Sequence, residues 1–149
     1  MQFSAFAQYA ALSRDLRFAD AEPQAEEQGS DYEAGTVGYD AELWRIRTAR
    51  VTPRKPGAFV AFWERDRVGA TRPFSEDASM AGLLVFVRDE SRFGVFRFPT
   101  AALRALGIVR TSTQTGKRGF RLYPAWCSDL NPQAARTQRA QAPYFTRLR

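Results

Sequence analysis

Two glycines enclose two cations at Gly116-Lys117-Arg118-Gly119. Bare backbone on either side can approach an oxyanion and offer its N–H groups, while the side chains supply charge. The stretch that follows, Phe120-Arg121-Leu122-Tyr123-Pro124, reads as a strand with Arg121 and Tyr123 on one face. Upstream, Arg45 and Arg47 share a face of another strand, and Lys55 sits on a turn stiffened by Pro53 and Pro56. With Arg65 added, these residues predict a basic surface that contacts phosphate. Trp63, Tyr123 and Trp126 are at hand to stack on unpaired bases. Each group has a plainer alternative. A charged hairpin tip at Lys117 and Arg118 is often simply solvated. Trp63 and Trp44 sit among apolar residues as core would. Arg65 has Glu33 or Asp66 to pair with.

Other chemistry is excluded by composition. The 149 residues contain no histidine and one cysteine, Cys127. A Ser-His-Asp or Cys-His nucleophile needs an imidazole. A His/Cys zinc site needs about four ligands. A disulfide within the chain is impossible, so a reducing, cytoplasmic setting is expected. Cys127 reads as a small buried residue beside Trp126. No phosphate-binding loop is present: Gly116-Lys117 is followed by Arg118 rather than Ser or Thr, and position 111 is Thr where Gly is needed. No catalytic residue and no cofactor is assigned on this reading.

The net charge of +6 conceals a division. Residues 1–42 hold nine acids and two arginines, a balance of −7; residues 43–149 hold twenty bases and seven acids, a balance of +13. A basic body with a pI near 10.1 favours a polyanionic partner, nucleic acid before membrane surface and DNA before RNA. Twenty of the bases are Arg, a bias that coding composition alone can produce. The acidic start could fold over the basic face and mimic nucleic acid; its plainer reading is a solvating linker. The first eighteen residues lack the pattern of a targeting segment, and the longest apolar run is Leu83 to Val87. No membrane insertion is expected, because a bilayer span needs about twenty apolar residues.

The elements that must position these groups follow from periodicity. Phe3, Phe6, Ala7, Ala10 and Ala11 recur at helical spacing, predicting a helix over 1–18. Residues 19–31 are acidic and lack large apolar groups, an expected loop or linker. Trp44, Ile46 and Thr48 alternate with Arg45 and Arg47, the pattern of a half-exposed strand. Ala58–Arg65 is the next strand. Gly82–Val87 is apolar on both faces and reads as central, and Phe93–Phe98 returns beside it. Pro99 to Gly107 has the proline-first, glycine-last signature of a short helix. Residues 108–124 suggest a hairpin around 113–117. Asn131-Pro132 starts a last helix that ends at about Gln141, before Pro143. The expected architecture is a single α+β (or α/β) domain over 1–149, with a core at 32–149. A central mixed sheet of four to six strands is flanked by N- and C-terminal helices.

Two blocks carry a family resemblance: Arg50-Val51-Thr52-Pro53-Arg54-Lys55-Pro56-Gly57-Ala58-Phe59-Val60 with Trp63-Glu64-Arg65, and Gly116 to Trp126. Together with Glu33-x-Gly35, Phe93 to Pro99 and Ala134-x-x-x-Gln138, the chain resembles the MepB family over roughly residues 30–145. The resemblance implies a nuclease-like arrangement related to restriction enzymes, with nucleic-acid binding as the working role. A nuclease of that type needs carboxylates holding magnesium or manganese and an Asp/Glu-x-Lys triplet. Only Lys55 and Lys117 could complete it, and Pro53 and Thr115 stand where the acid belongs. Glu90-Ser91-Arg92 is a loose variant in a polar link. Glu33 and Glu64, with Asp40 and Glu42, remain candidates for a metal site of no regular spacing. The expectation is therefore a nucleic-acid-binding protein of low sequence preference that does no covalent chemistry. A metal-dependent nuclease and a module for an acidic protein partner are its rivals.

Overall fold

The computed structural model describes residues 3–13, 18, 21–28 and 31–149. In chain order the elements are α1 (Ser4–Leu12), β1 (Gln24–Ala25), β2 (Gly35–Tyr39), β3 (Glu42–Thr48), β4 (Arg50–Val51), β5 (Ala58–Ala61), β6 (Glu64–Arg65) and β7 (Thr71–Arg72). They continue with β8 (Gly82–Asp89), β9 (Arg92–Pro99), α2 (Thr100–Ala105), β10 (Gly119–Leu122), α3 (Pro132–Gln141) and β11 (Phe145–Arg147). A 3-10 turn over Ala142–Tyr144 takes up Pro143 after α3.

β8 is the central strand, as its two apolar faces require. It pairs in parallel with β3 and antiparallel with β9, and the large sheet runs β1-β2-β3-β8-β9-β11 among the described residues. The single parallel pair makes the sheet mixed. Leu84, Phe86, Phe93, Val95, Trp44 and Ile46 form one face, closed by Phe6 and Tyr9 of α1. Leu83, Val85, Val87, Phe96 and Phe98 form the other. A three-stranded sheet, β10-β5-β4, covers that second face with Ala58, Val60, Phe120 and Leu122, assisted by Leu103 of α2. The result is a mixed α+β domain with helix, sheet and sheet in layers. Among the described residues no helix is long and apolar enough to cross a membrane.

β3 passes into β4 with one residue between them, and Ala49 N–H still donates to Phe86 O at 2.8 Å. One run of chain thus belongs to both sheets.

Several expectations need correction. The first helix stops at Leu12, because Ser13 is extended; residues 1–2, 14–17, 19–20 and 29–30 of the expected helix and linker lie outside the described set. Residues 21–28 do not form a free linker: β1 pairs with β2, and Glu26 and Gln28 reach the second face of the large sheet. The expected strand 58–65 breaks after Ala61, where β6 leaves to pair with β7 as a separate two-stranded ribbon. The hairpin over 108–124 is absent. Residues 108–118 form a loop in which Thr111 Oγ1 accepts from the backbone of Thr113 and Gln114. The Gln114 amide donates to Arg104 O and Val109 O, and only β10 is a strand, pairing with β5.

Candidate nucleic-acid interface

Arg45 and Arg47 do not form an exposed face. Their side of β3 looks into the space between the two sheets, while Trp44 and Ile46 are buried under α1, so both faces are covered. Arg47 is 1% exposed. Its guanidinium lies 5.1 Å from the Phe62 ring, and that of Arg45 lies 4.5 Å from the ring of Phe74. Glu26 pairs with both arginines, and Gln28 Oε1 accepts from Arg47 Nε at 3.0 Å. Burial pushes the Arg47 guanidinium below its usual value, and the Glu26 charge opposes that fall. Both arginines are committed to Glu26 and to the rings between the sheets, and Arg47 is buried out of reach of any strand of nucleic acid.

β10 keeps its expected geometry. Phe120 and Leu122 point into the core, which leaves Arg121 and Tyr123 together on the outer side. Register extends this into a row: Arg50 on β4 faces Phe59 on β5, and Phe59 faces Arg121 on β10. Residues directly opposite share a sheet face, so a half-buried phenylalanine stands between two arginines. Its ring lies across Gly119, where an added side-chain carbon would sit 2.5 Å from Phe59 Cζ. Tyr32 meets the same ring edge-on at 6.4 Å. Glycine at 119 is needed to keep this aromatic flat against the sheet.

The turn that carries Lys55 is tied to β10. Arg121 Nη2 donates to Thr52 Oγ1 at 2.6 Å and to Pro56 O at 2.9 Å. Gly57 has φ +82° and no room for a side chain, since a Cβ there would lie 2.4 Å from Leu122 O. Lys55 itself is exposed. At the opposite end of β10, Lys117 and Arg118 are exposed, and Arg118 donates twice to Thr71 O. Arg65 lies nearby on the β6–β7 ribbon, donating to Gly69 O and lying 5.0 Å from the Trp63 ring. Its acidic neighbour is Glu27 at 3.9 Å rather than Glu33 or Asp66. Trp63 is half-buried at this margin.

Between β10 and α3 lies a cavity of about 570 Å³ whose lining includes Lys117, Arg121, Tyr123 and Arg136. Gln141 of α3, 3% exposed, closes one end like a further strand: its amide donates to Arg121 O and accepts from Tyr123 N–H. Arg50, Phe59 and Arg136 are absent from the expected site. Only the polar stripe of α3 could have announced the third of these; the first two need strand register.

The remaining expected residues lie elsewhere. Trp126 packs at the β9–β11 side of the large sheet, between Arg92 and Arg147 and against Phe145, so it does not join the β10 face. Glu33 caps α1: its carboxylate accepts from Ser4 N–H, Ser4 Oγ and Ala5 N–H, and from Thr48 Oγ1 at 2.6 Å. Burial alone would raise the Glu33 carboxyl, but these hydrogen bonds outweigh it and hold the group below its ordinary value. Glu64 is taken up by Arg72 and Arg110. Among the described residues no three carboxylate or thiol side chains gather as a metal site would need. Burial pushes the Cys127 thiol up, away from nucleophilic use.

Comparison with known proteins agrees with the fold. No curated protein matches the chain. A solved structure described as the crystal structure of MepB superposes with a TM-score of 0.84 at 34% identity, covering 99% of this chain and 97% of that one. The MepB-like family model matches residues 26–147, a span that takes in the small sheet, the large sheet except β1, and α3. The chain belongs to the MepB-like family.

Proposed function

We propose that this protein binds a nucleic-acid strand across the outer face of the small sheet, with low sequence preference and without covalent chemistry. The observation that carries this reading is the cross-strand row Arg50–Phe59–Arg121, a flat aromatic between two cations on an outward sheet face. Lys55 at one end of β10 and Lys117 and Arg118 at the other extend its charge over about 20 Å, at roughly 3.3 Å per strand residue. Cations on such a track hold phosphates, and the ring takes the face of an unpaired base irrespective of its identity. The acidic segment meets this margin through Asp31–Arg50 at 3.1 Å, an exposed pair that nucleic acid can replace.

The test is anisotropy with labelled single-stranded DNA, duplex DNA and RNA across a salt series. Arg50→Ala with Lys55→Ala should flatten the log–log salt slope for single strands by about 1.4, two contacts at about 0.7 each. Phe59→Ala should weaken single strands by about 1–3 kcal/mol and duplex much less. No binding at low salt, or an unchanged slope in the double variant, overturns the reading. Magnesium- or manganese-dependent cleavage would replace it with the nuclease reading. Against that rival, Glu33 accepts from Ser4, Ala5 and Thr48, and Glu64 pairs with Arg72 and Arg110.

A further inference from the structure

α3 packs through Ala134, Thr137, Gln138 and Gln141, a largely polar version of the i, i+3, i+4, i+7 stripe. Beside that stripe Gln133, Arg136 and Ala140 are exposed and line a groove against β10. The groove, about 570 Å³ and open to solvent, lies within the roughly 300–1,000 Å³ of small-molecule sites.

Its lining is divided in character. Leu106, Ile108 and Phe120 give an apolar floor, while Lys117, Arg121 and Arg136 supply charge; no carboxylate lines it among the described residues. Arg121 is held by Thr52 and Pro56 through Nη2 alone, and its buried Nε has no partner among the described residues. An inorganic anion would leave the floor uncovered. A purely apolar ligand would face three cations. A duplex is too wide to enter.

We propose that this cavity is a binding site for one nucleotide carrying a terminal phosphate. The base lies against Leu106 and Tyr123, the half-buried apolar members of the lining, the phosphate meets Lys117 and Arg136, and Gln133 offers its amide to the base edge. The ligand is either a free mononucleotide or the phosphorylated end of a strand. The inference goes beyond strand binding on the sheet face and stands without it.

Calorimetry on the full chain with adenosine 5′-monophosphate, adenosine and inorganic phosphate tests it. The monophosphate should bind saturably, about tenfold or more tighter than either fragment. Arg136→Ala should weaken it by a similar factor, the loss of one charge-assisted contact. Gln133→Glu, which places a negative charge in the cavity from an exposed helix position, should do the same. Arg50→Ala with Lys55→Ala should leave monophosphate binding unchanged, which separates this site from the sheet face whether or not strands bind there. Competition by a 5′-phosphorylated trinucleotide but not its 5′-hydroxyl twin assigns the site to strand ends. Competition by neither assigns it to the free nucleotide. Monophosphate binding no tighter than phosphate, or unaltered by both Arg136→Ala and Gln133→Glu, overturns the inference.

Discussion

Replacing Glu26 with Gln should cost this protein about 3 kcal/mol of stability, although the change removes a single charge and almost no volume. Arg47 is 1% exposed. Its Nη1 donates to Glu26 Oε1 at 2.5 Å and to Ile46 O at 2.8 Å, its Nε donates to Gln28, and its Nη2 is buried without a partner among the described residues. Among the described residues Glu26 is the one acid paired with it, so Glu26→Gln leaves a guanidinium charge in the interior with amide and carbonyl dipoles. Breaking a buried pair from one side costs about 3–5 kcal/mol. The Glu26 side chain keeps 12% exposure and glutamine keeps an acceptor oxygen, which places the cost at the lower end. In a domain of this size that loss lowers the melting temperature by about 6–12 °C. Urea unfolding followed by tryptophan fluorescence measures it directly. The same substitution in an Arg47→Met background should cost less, because only Arg45, whose side chain keeps 16% exposure, then needs the carboxylate. A loss below about 1 kcal/mol, or equal losses in the two backgrounds, would refute the argument.

Three further outcomes follow from contacts already described. The Glu33 carboxyl is held below its ordinary 4.5 in the folded protein, so its contribution is present at neutral pH and disappears as pH falls below 4.5 through the folded value. Glu33→Gln should therefore lose less stability on acidification than the parent in a pH series of urea midpoints. Gly57→Ala forces a residue with a side chain into φ +82° and sets its Cβ against Leu122 O; about 1–3 kcal/mol of destabilisation is expected in thermal melts. Gln141→Leu strips Arg121 O and Tyr123 N–H of their partner while keeping the volume, and should cost about 1–3 kcal/mol by urea unfolding.

The sequence speaks most clearly where one segment determines its own structure. The Asn131 side chain accepts from Ala134 N–H at 2.8 Å at the start of α3, as Asn-Pro there predicts. The apolar run of β8 can lie only in the middle of a sheet covered on both sides. Arg121 and Tyr123 share a face because extended backbone alternates by itself through β10 and the residue after it. Arg45 and Arg47 mislead because alternation with arginine normally means one wet face. The acid that makes their burial tolerable sits about twenty residues earlier in a segment of low hydrophobicity, so nothing local betrays it. β1 and β11 are too short to show a period, and β2 carries glycine at Gly35 and Gly38 where side chains would reveal one. β11 depends on Gly94, across which the Phe145 ring lies so closely that a Cβ there would be 2.5 Å from Cζ. The aromatic–cation row is invisible for a related reason: it is formed by Arg50, Phe59 and Arg121, which only strand register makes neighbours.

The passage of β3 into β4 has a consequence for recognition. Three residues after Arg47, anchored in the interior, the same extended backbone presents Arg50 at the surface, and Phe59 and Arg121 are hydrogen-bonded to it through the ladder. The proposed contact row thus has no hinge between itself and the best-packed part of the molecule. The backbone entropy of arranging it is lost during folding rather than at encounter. A partner must then adapt to a preset array of charge and ring. The ordering cost of complex formation falls on the flexible strand, which favours a ligand without a duplex shape of its own.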